Sequence, residues 1–323
     1  MSRSKGGGRG GGRSGPSAGA GRSGQRRGKG GGGRRRPEDR RGAAPRGRDP
    51  GGKGGRGGGR KARSDDGEKG LGGDRVAGRQ AVREALAGPR RVREVLLAAD
   101  LDPAPILEEI THLAAAEGIR LRRVGRSEIE AEARTDAPQG VVARLDQLEP
   151  VDADVLAERR VEGRPPFLVV LDGVTDPGNL GSVLRSAEGA GATGAILPRH
   201  RAARVTATVA KAAAGAIEYL PIATVGGVPA ALSRFRELGV WVVGLDQDGD
   251  APLWDLAVAT EPVALVLGAE GKGLSRLARE RCDVVVAVPQ VGRLDSLNVG
   301  AAAAVACFEV ARRRAPSSPR SRQ

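Results

Sequence analysis

The chain has 323 residues, of which 51 are Gly and only six are aromatic, and its charge is unevenly placed. Residues 1–73 hold 28 of the glycines and 21 basic against 6 acidic residues, which leaves a nearly neutral remainder with 32 basic and 33 acidic residues. No run is apolar enough to serve as a signal peptide or to span a bilayer, so secretion and membrane insertion are disfavoured and a cytoplasmic location is expected.

Residues 1–73 repeat Gly with Arg, Lys and Ser and offer almost no apolar surface to offset the entropy of ordering. A disordered basic tail is the expectation. Its guanidinium groups suit sequence-tolerant, salt-sensitive contact with RNA phosphates, a use favoured over a purely solubilising one because solubility needs charge of either sign and this segment is heavily cationic.

Periodic structure begins near Asp74. A helical face formed by Val76, Ala81, Val82, Ala85 and Leu86 is followed by a strand in VREVLLAA, a helix over 105–117, a strand in IRLRRV, a helix in RSEIEAEA and a last strand at 140–143. These make a small α/β domain over 74–147. It has no aromatic residue, so it cannot stack bases as an RNA-recognition sheet does. Residues 148–165, polar and closed by Pro165-Pro166, read as a linker.

A second domain spans 166–315, before a short C-terminal tail over 316–323 that is expected to be disordered. Here FLVVLDG, GAILP, YLPIAT, VWVVGLD, PVALVLG and DVVVAVP alternate with helices from Asn179, over 204–216, 228–238 and 274–281, and from Ser296 to near the end. Short Val/Leu/Ile runs between helices indicate an α/β fold with a mostly parallel sheet covered on both faces.

Two apparent dinucleotide fingerprints, at Gly19–Gly24 and Gly189–Gly194, fail on context. The first lies in the tail and the second leads from a helix into a strand, the reverse of the arrangement that aims amides at a pyrophosphate. Gly271-Lys272-Gly273-Leu274 lacks the hydroxyl residue that a phosphate loop needs. Cys282 and Cys307 lack a CxxC spacing, and with only His112 and His200 beside them they argue for packing and surface roles over metal or nucleophilic chemistry.

Three other segments each begin where a buried strand ends, the place where open α/β sheets bind ligands: 171–192, 265–276 and 288–309. Taken singly, Asn179 is a cap after a Pro-Gly turn, Gly268, Gly271 and Gly273 ease a tight loop, and Ser296 caps the last helix. Together, in this order, they resemble the three motifs of the SpoU branch of the SPOUT methyltransferases, the TrmH-like RNA ribose 2′-O-methyltransferases. The preceding domain resembles that family's small L30e-like substrate-binding domain, through Val76–Val82 and Thr135–Ala143.

The resemblance implies a trefoil-knotted sheet, S-adenosylmethionine as methyl donor, an RNA substrate and a homodimer, while the sparse Cys and His content argues for no metal. It implies that Arg185 activates the ribose hydroxyl and Asn179 holds substrate and guanidinium. Glu270 would orient its loop, Ser296 and Asn298 would complete the catalytic arrangement, and Gly268, Val288 and Leu297 would contact the donor. The two-domain layout is most similar to members that methylate a guanosine of large-subunit (23S) ribosomal RNA. The alternatives are transfer RNA or another rRNA nucleotide as target, and a non-catalytic RNA-binding assembly factor. A guanidinium stays protonated below a pKa of about 12, so Arg185 is open to two roles: a desolvated proton acceptor, or a cation that eases alkoxide formation.

Overall fold

The segment Val92–Ala98 (β2) is buried at six of its seven positions, and the alternation of its side chains explains why. In a computed structural model that describes residues 71–135, 138–200, 204–293 and 296–315, Val95 and Leu97 point into one core with Ala81, Val82, Leu107 and Ile110. Leu96 and Ala98 point into another with Ile129, Ala133 and Val142. Both faces of the small sheet are therefore covered by the helices Arg79–Ala87 (α1), Pro105–Ala116 (α2) and Arg126–Ala133 (α3). With Arg75–Ala77 (β1), Arg120–Val124 (β3) and Val141–Leu145 (β4), the order is β1-β4-β2-β3. β2 and β3 are parallel, and β4 is antiparallel to both β1 and β2.

The expected tail over residues 1–70 and the expected C-terminal tail over 316–323 lie outside the described residues. Pairing already begins at Leu71 and Gly72, inside the stretch read as tail. The Leu71 amide donates to Leu148 O at 3.0 Å, and Gly72 bridges Val205 of the second domain. The stretch read as a linker also carries structure: Asp152 caps a short helix, Ala153–Glu158 (α4), whose Leu156 is fully buried. A Cβ at Gly194 would stand 2.8 Å from that Leu156. Its sparse apolar content hid this helix, because one buried Leu does not make a periodic pattern.

The second domain contains Phe167–Asp172 (β5), Pro177–Gly189 (α5), Gly194–Pro198 (β6), Ala207–Ala213 (α6), Ile222–Val225 (β7), Val228–Glu237 (α7), Trp241–Leu245 (β8), Ala251–Pro252 (β9), Val263–Gly268 (β10), Arg276–Arg279 (α8), Val284–Ala287 (β11) and Val299–Arg314 (α9). Its sheet has the order β7-β6-β5-β10-β8-β11-β9, and every pairing in it is parallel. Phe167, Val169, Leu171, Leu265 and Leu267 meet α5, α6 and α9 on one face. Leu168, Val170, Ala264 and Val266 meet α4, α7 and α8 on the other. Helix α5 crosses α6 at Gly181, where a Cβ would come within 2.4 Å of the Ala212 Cβ and 2.8 Å of Val209 O.

β11 lies between β8 and β9 although it follows both in the chain. The short connection from β8 to β9 therefore spans it, with Asp246 N donating to Val286 O at 3.1 Å and Asp250 N to Val285 O at 2.9 Å. This interleaved order is compatible with the threaded sheet that the resemblance implies. At its far end α9 is fastened by Arg314, whose guanidinium donates to the carbonyls of Ala259, Pro165 and Pro166 at 2.7, 2.8 and 3.1 Å and also to Glu261 O. It stands 5.4 Å from the centroid of the Phe167 ring, and burial lowers its pKa to about 10.

The two domains meet through a buried ion pair. Arg90, at the start of the small domain's core strand, donates from Nε and Nη2 to the Glu218 carboxylate at 2.9 and 2.5 Å. Its Nη1 donates to Gly73 O at 2.6 Å and Asp146 O at 3.2 Å. The two side chains are only 8% and 1% exposed. Removing the cation strands a carboxylate in a place without water, so Arg90→Met is expected to cost about 3–5 kcal/mol in urea unfolding. Adding Glu218→Leu should recover part of that loss.

Candidate active site

Because β5, β10 and β8 are adjacent and parallel, their C-terminal ends open onto one edge of the sheet. The three segments singled out in the sequence assemble there. Asp176 caps α5, its Oδ1 accepting from Asn179 N at 2.7 Å, and Pro177 presets the first turn. This holds the Asn179 side chain toward the next two loops.

The cap of α9 is Asn298, not Ser296: its Oδ1 accepts from Gly300 N at 2.8 Å and Ala301 N at 3.4 Å. With its oxygen so used, its Nδ2 donates to Asn179 Oδ1 at 2.8 Å. Asn179 must then present Nδ2, which donates to Glu270 Oε2 at 2.9 Å. The two carboxamides are thus oriented by a helix cap, and a carboxylate ends the chain. Residues 91 and 119 positions apart are joined in one line of hydrogen bonds.

Beside this line lies a pocket of about 760 Å³, within the range of small-molecule sites. Gly268, Glu270, Val288, Ser296, Leu297 and Asn298 all contribute to its wall. Leu245, Leu267, Val288 and Leu297 give it apolar surface, and Asp246, Glu270 and Gln290 give it polar groups. That mixture suits a nucleoside, which needs flat apolar contact for its base and acceptors for its hydroxyls. Gly268 is required for a reason the sequence did not show. A Cβ there would fall 2.1 Å from Gly273 C and 2.4 Å from Leu274 N, so the close approach is by the loop's own backbone.

Arg185 is not brought to this wall. It lies six residues beyond Asn179 in α5, about 9 Å along the axis and two-thirds of a turn round. It is exposed, and no hydrogen bond or ion pair joins it to the described residues. It shares an outward face with Ser182 and Gly189, and a Cβ at Gly189 would meet the Phe308 ring of α9 at 3.7 Å. The thiols of Cys282 and Cys307 are both pushed up to about 12, chiefly by burial, which fits packing roles. Among the described residues, no group of three His, Cys, Asp or Glu could hold a metal ion, and no helix is long and apolar enough to cross a membrane.

Residues 166–308 match the model of the SpoU rRNA Methylase family, and residues 75–151 match that of RNA 2′-O ribose methyltransferase substrate binding. The chain belongs to the SpoU rRNA methylase family. A SpoU relative from Photobacterium profundum, named 23S rRNA (guanosine-2′-O-)-methyltransferase RlmB, is 38% identical over 248 residues, covering 75% of this chain and 98% of its own. A protein of the same name from Ralstonia nicotianae is 42% identical over 209 residues, covering 64% and 83%. Among solved SpoU structures, the methyltransferase AviRb from Streptomyces viridochromogenes in complex with AdoMet superposes with a TM-score of 0.61 at 28% identity, over 74% of this chain and 89% of that one. An AdoMet-bound rRNA methyltransferase from Sinorhizobium meliloti gives 0.59 at 27%, over 74% and 87%.

Membership in the SpoU family makes the chain an RNA ribose 2′-O-methyltransferase that uses S-adenosylmethionine. The expected fold class is met, with the substrate-binding domain preceding the catalytic one. Because Asn298 both caps α9 and orients Asn179, Asn298→Ala is expected to lower stability by about 1 kcal/mol in denaturant unfolding. The same change should release the Glu270 loop, visible as faster amide exchange at 269–273.

Proposed function

We propose that this SpoU enzyme methylates the 2′-hydroxyl of a guanosine in 23S ribosomal RNA, in the cytoplasm, and works as a homodimer. The hydrogen-bonded line Glu270–Asn179–Asn298 at the mouth of the pocket carries the reading of the site. The two relatives named as 23S rRNA guanosine methyltransferases support the choice of target. Gly268, Val288 and Leu297 would seat the donor, which supplies an electrophilic methyl carbon on a sulfonium.

What the chain must do is hold a ribose hydroxyl in line with that carbon, so that the oxygen would displace S-adenosylhomocysteine while its proton passes to water. Asn179 and Asn298 are fixed hydrogen-bonding groups for the ribose and its phosphate, Glu270 sets Asn179, and Ser296 lines the same pocket. Arg185, free of a carboxylate partner among the described residues, is available to an RNA phosphate and to the negative charge that grows on the oxygen.

A second copy of the chain is the partner assigned to the face shared by α5 and α9. Phe308 is 52% exposed there and Leu297 40% exposed at the mouth of the pocket, apolar surface that a second copy would cover. Since Arg185 borders that face, a copy seated on it places the guanidinium at a subunit boundary, which accounts for its distance from the single-chain pocket.

Three measurements test this. Incubation with labelled donor and total RNA should place the label on one guanosine of 23S rRNA, and Arg185→Ala should cut transfer at least 100-fold while donor affinity stays within about twofold. Label confined to transfer RNA would move the target assignment. Phe308→Arg places a charge in the apolar face without touching the core, and light scattering should then report a monomer where the unaltered protein is a dimer.

A further inference from the structure

The loop that carries Gly268 and Glu270 leaves β10 and must turn back over the sheet edge to start α8. It closes on itself through Ala269 N to Gly273 O at 3.0 Å and Gly273 N to Ala269 O at 2.9 Å. The next two amides, Leu274 and Ser275, point away from that turn. Each is taken by a carboxylate from a different neighbouring strand.

On one side of β10, Asp172 ends β5 in register with Gly268, and its Oδ2 accepts from Ser275 N at 2.7 Å. On the other side, Asp246 follows directly on β8, and its Oδ2 accepts from Leu274 N at 3.2 Å. Asp246 is itself held, its Oδ1 accepting from Asp248 N at 3.1 Å with Arg279 Nη1 at 3.5 Å, and its side chain is only 11% exposed. Gly273, at φ +62°, lies against it so closely that a Cβ would fall 2.6 Å from Oδ2. Neither carboxylate belongs to the line through Asn179, and Asp172 is not on the pocket wall.

We propose that Asp172 and Asp246 are positioning residues that suspend the loop Gly268–Ser275 between the strands flanking β10, and so set the wall of the donor pocket and the place of Glu270. This rests on reading the pocket as the seat of S-adenosylmethionine. The arrangement follows from the parallel sheet: three strand ends lie level, the middle one carries the ligand loop, and the outer two supply acceptors for its otherwise orphaned amides. Asp172 gives the cleaner test, because it uses a single oxygen and stands off the pocket wall. A carboxamide keeps one acceptor oxygen, so Asp172→Asn preserves the contact that Asp172→Ala deletes.

In donor-free protein, Asp172→Ala should speed amide exchange at Leu274 and Ser275 at least tenfold, with exchange in the small domain's β2 unchanged. By calorimetry the same variant should bind S-adenosylmethionine at least tenfold more weakly, while RNA affinity stays within twofold and Asp172→Asn restores both readouts to within threefold. Should Asp172→Ala not fold, Asp246→Ala carries the exchange measurement. Unchanged exchange and unchanged donor affinity in the alanine variants, or an asparagine variant as impaired as alanine, overturns the proposal. If the unaltered protein itself takes up no donor, the reading of the pocket fails, and the donor-free exchange rates still decide whether the clasp exists.

Discussion

The carboxamide of Asn179 is the joint on which the site depends. It has one acceptor and one donor end, and each is committed to a different loop: the oxygen to Asn298, the nitrogen to Glu270. Because Asn298 is simultaneously the cap of α9, its amide cannot reverse without uncapping a 16-residue helix. The direction of every hydrogen bond in the line is therefore inherited from backbone structure. Hydrogen bonds of this kind contribute only about 1 kcal/mol each to stability, and their value here is geometric. They bring residues from three motifs to one rim before any ligand arrives.

The pattern in the sequence and the pattern in space are legible to different degrees. Alternation of apolar runs with helical spacing marked each strand of the second domain except Ala251–Pro252, too short to show a period. Helix ends were displaced by two or three residues where caps decide them. Asp176 starts α5 at Pro177 ahead of Asn179, and Asn298 starts α9 at Val299 after Ser296. Strand order is a different matter, since periodicity says that Val284–Ala287 is a strand and cannot say that it enters between β8 and β9. That crossing was accessible only through likeness to a known family. Asp172 and Asp246 carry a visible signal: a Leu-Asp pair closes each strand flanking β10, Leu171-Asp172 within the end of β5 and Leu245-Asp246 with Asp246 just past β8, an acid placed where a parallel strand stops and its neighbours' loops begin.

The relation between the two domains was the least legible feature. Residues 128 positions apart form the Arg90–Glu218 pair, and nothing local distinguishes either from an ordinary surface charge. In the fold the pair is enclosed, with two carbonyls saturating the remaining guanidinium donor, and Tyr219 adds a hydrogen bond from its hydroxyl to Glu84 at 3.2 Å. A buried ion pair is a poor source of net stability but a demanding one for geometry. It favours one docking of the small domain over alternatives that would leave either charge unpaired. An RNA held by the small domain would then meet the pocket at a set distance.

The same logic of fixed parts bears on the residue that stands apart. Glu270, Ser296 and Asn298 line one pocket within a single chain, and Asn179 is hydrogen-bonded to two of them. Arg185 is anchored equally well, between the buried Leu184 and Ala187 of α5, but it faces outward. A helix is too stiff to turn a residue through most of a turn toward the pocket without unpacking Val183 and Leu184 from the core. If Arg185 acts on the ribose, the RNA and a second surface must come to it. On the same face, one turn further along α5, Gly189 lies against the exposed Phe308 ring of α9.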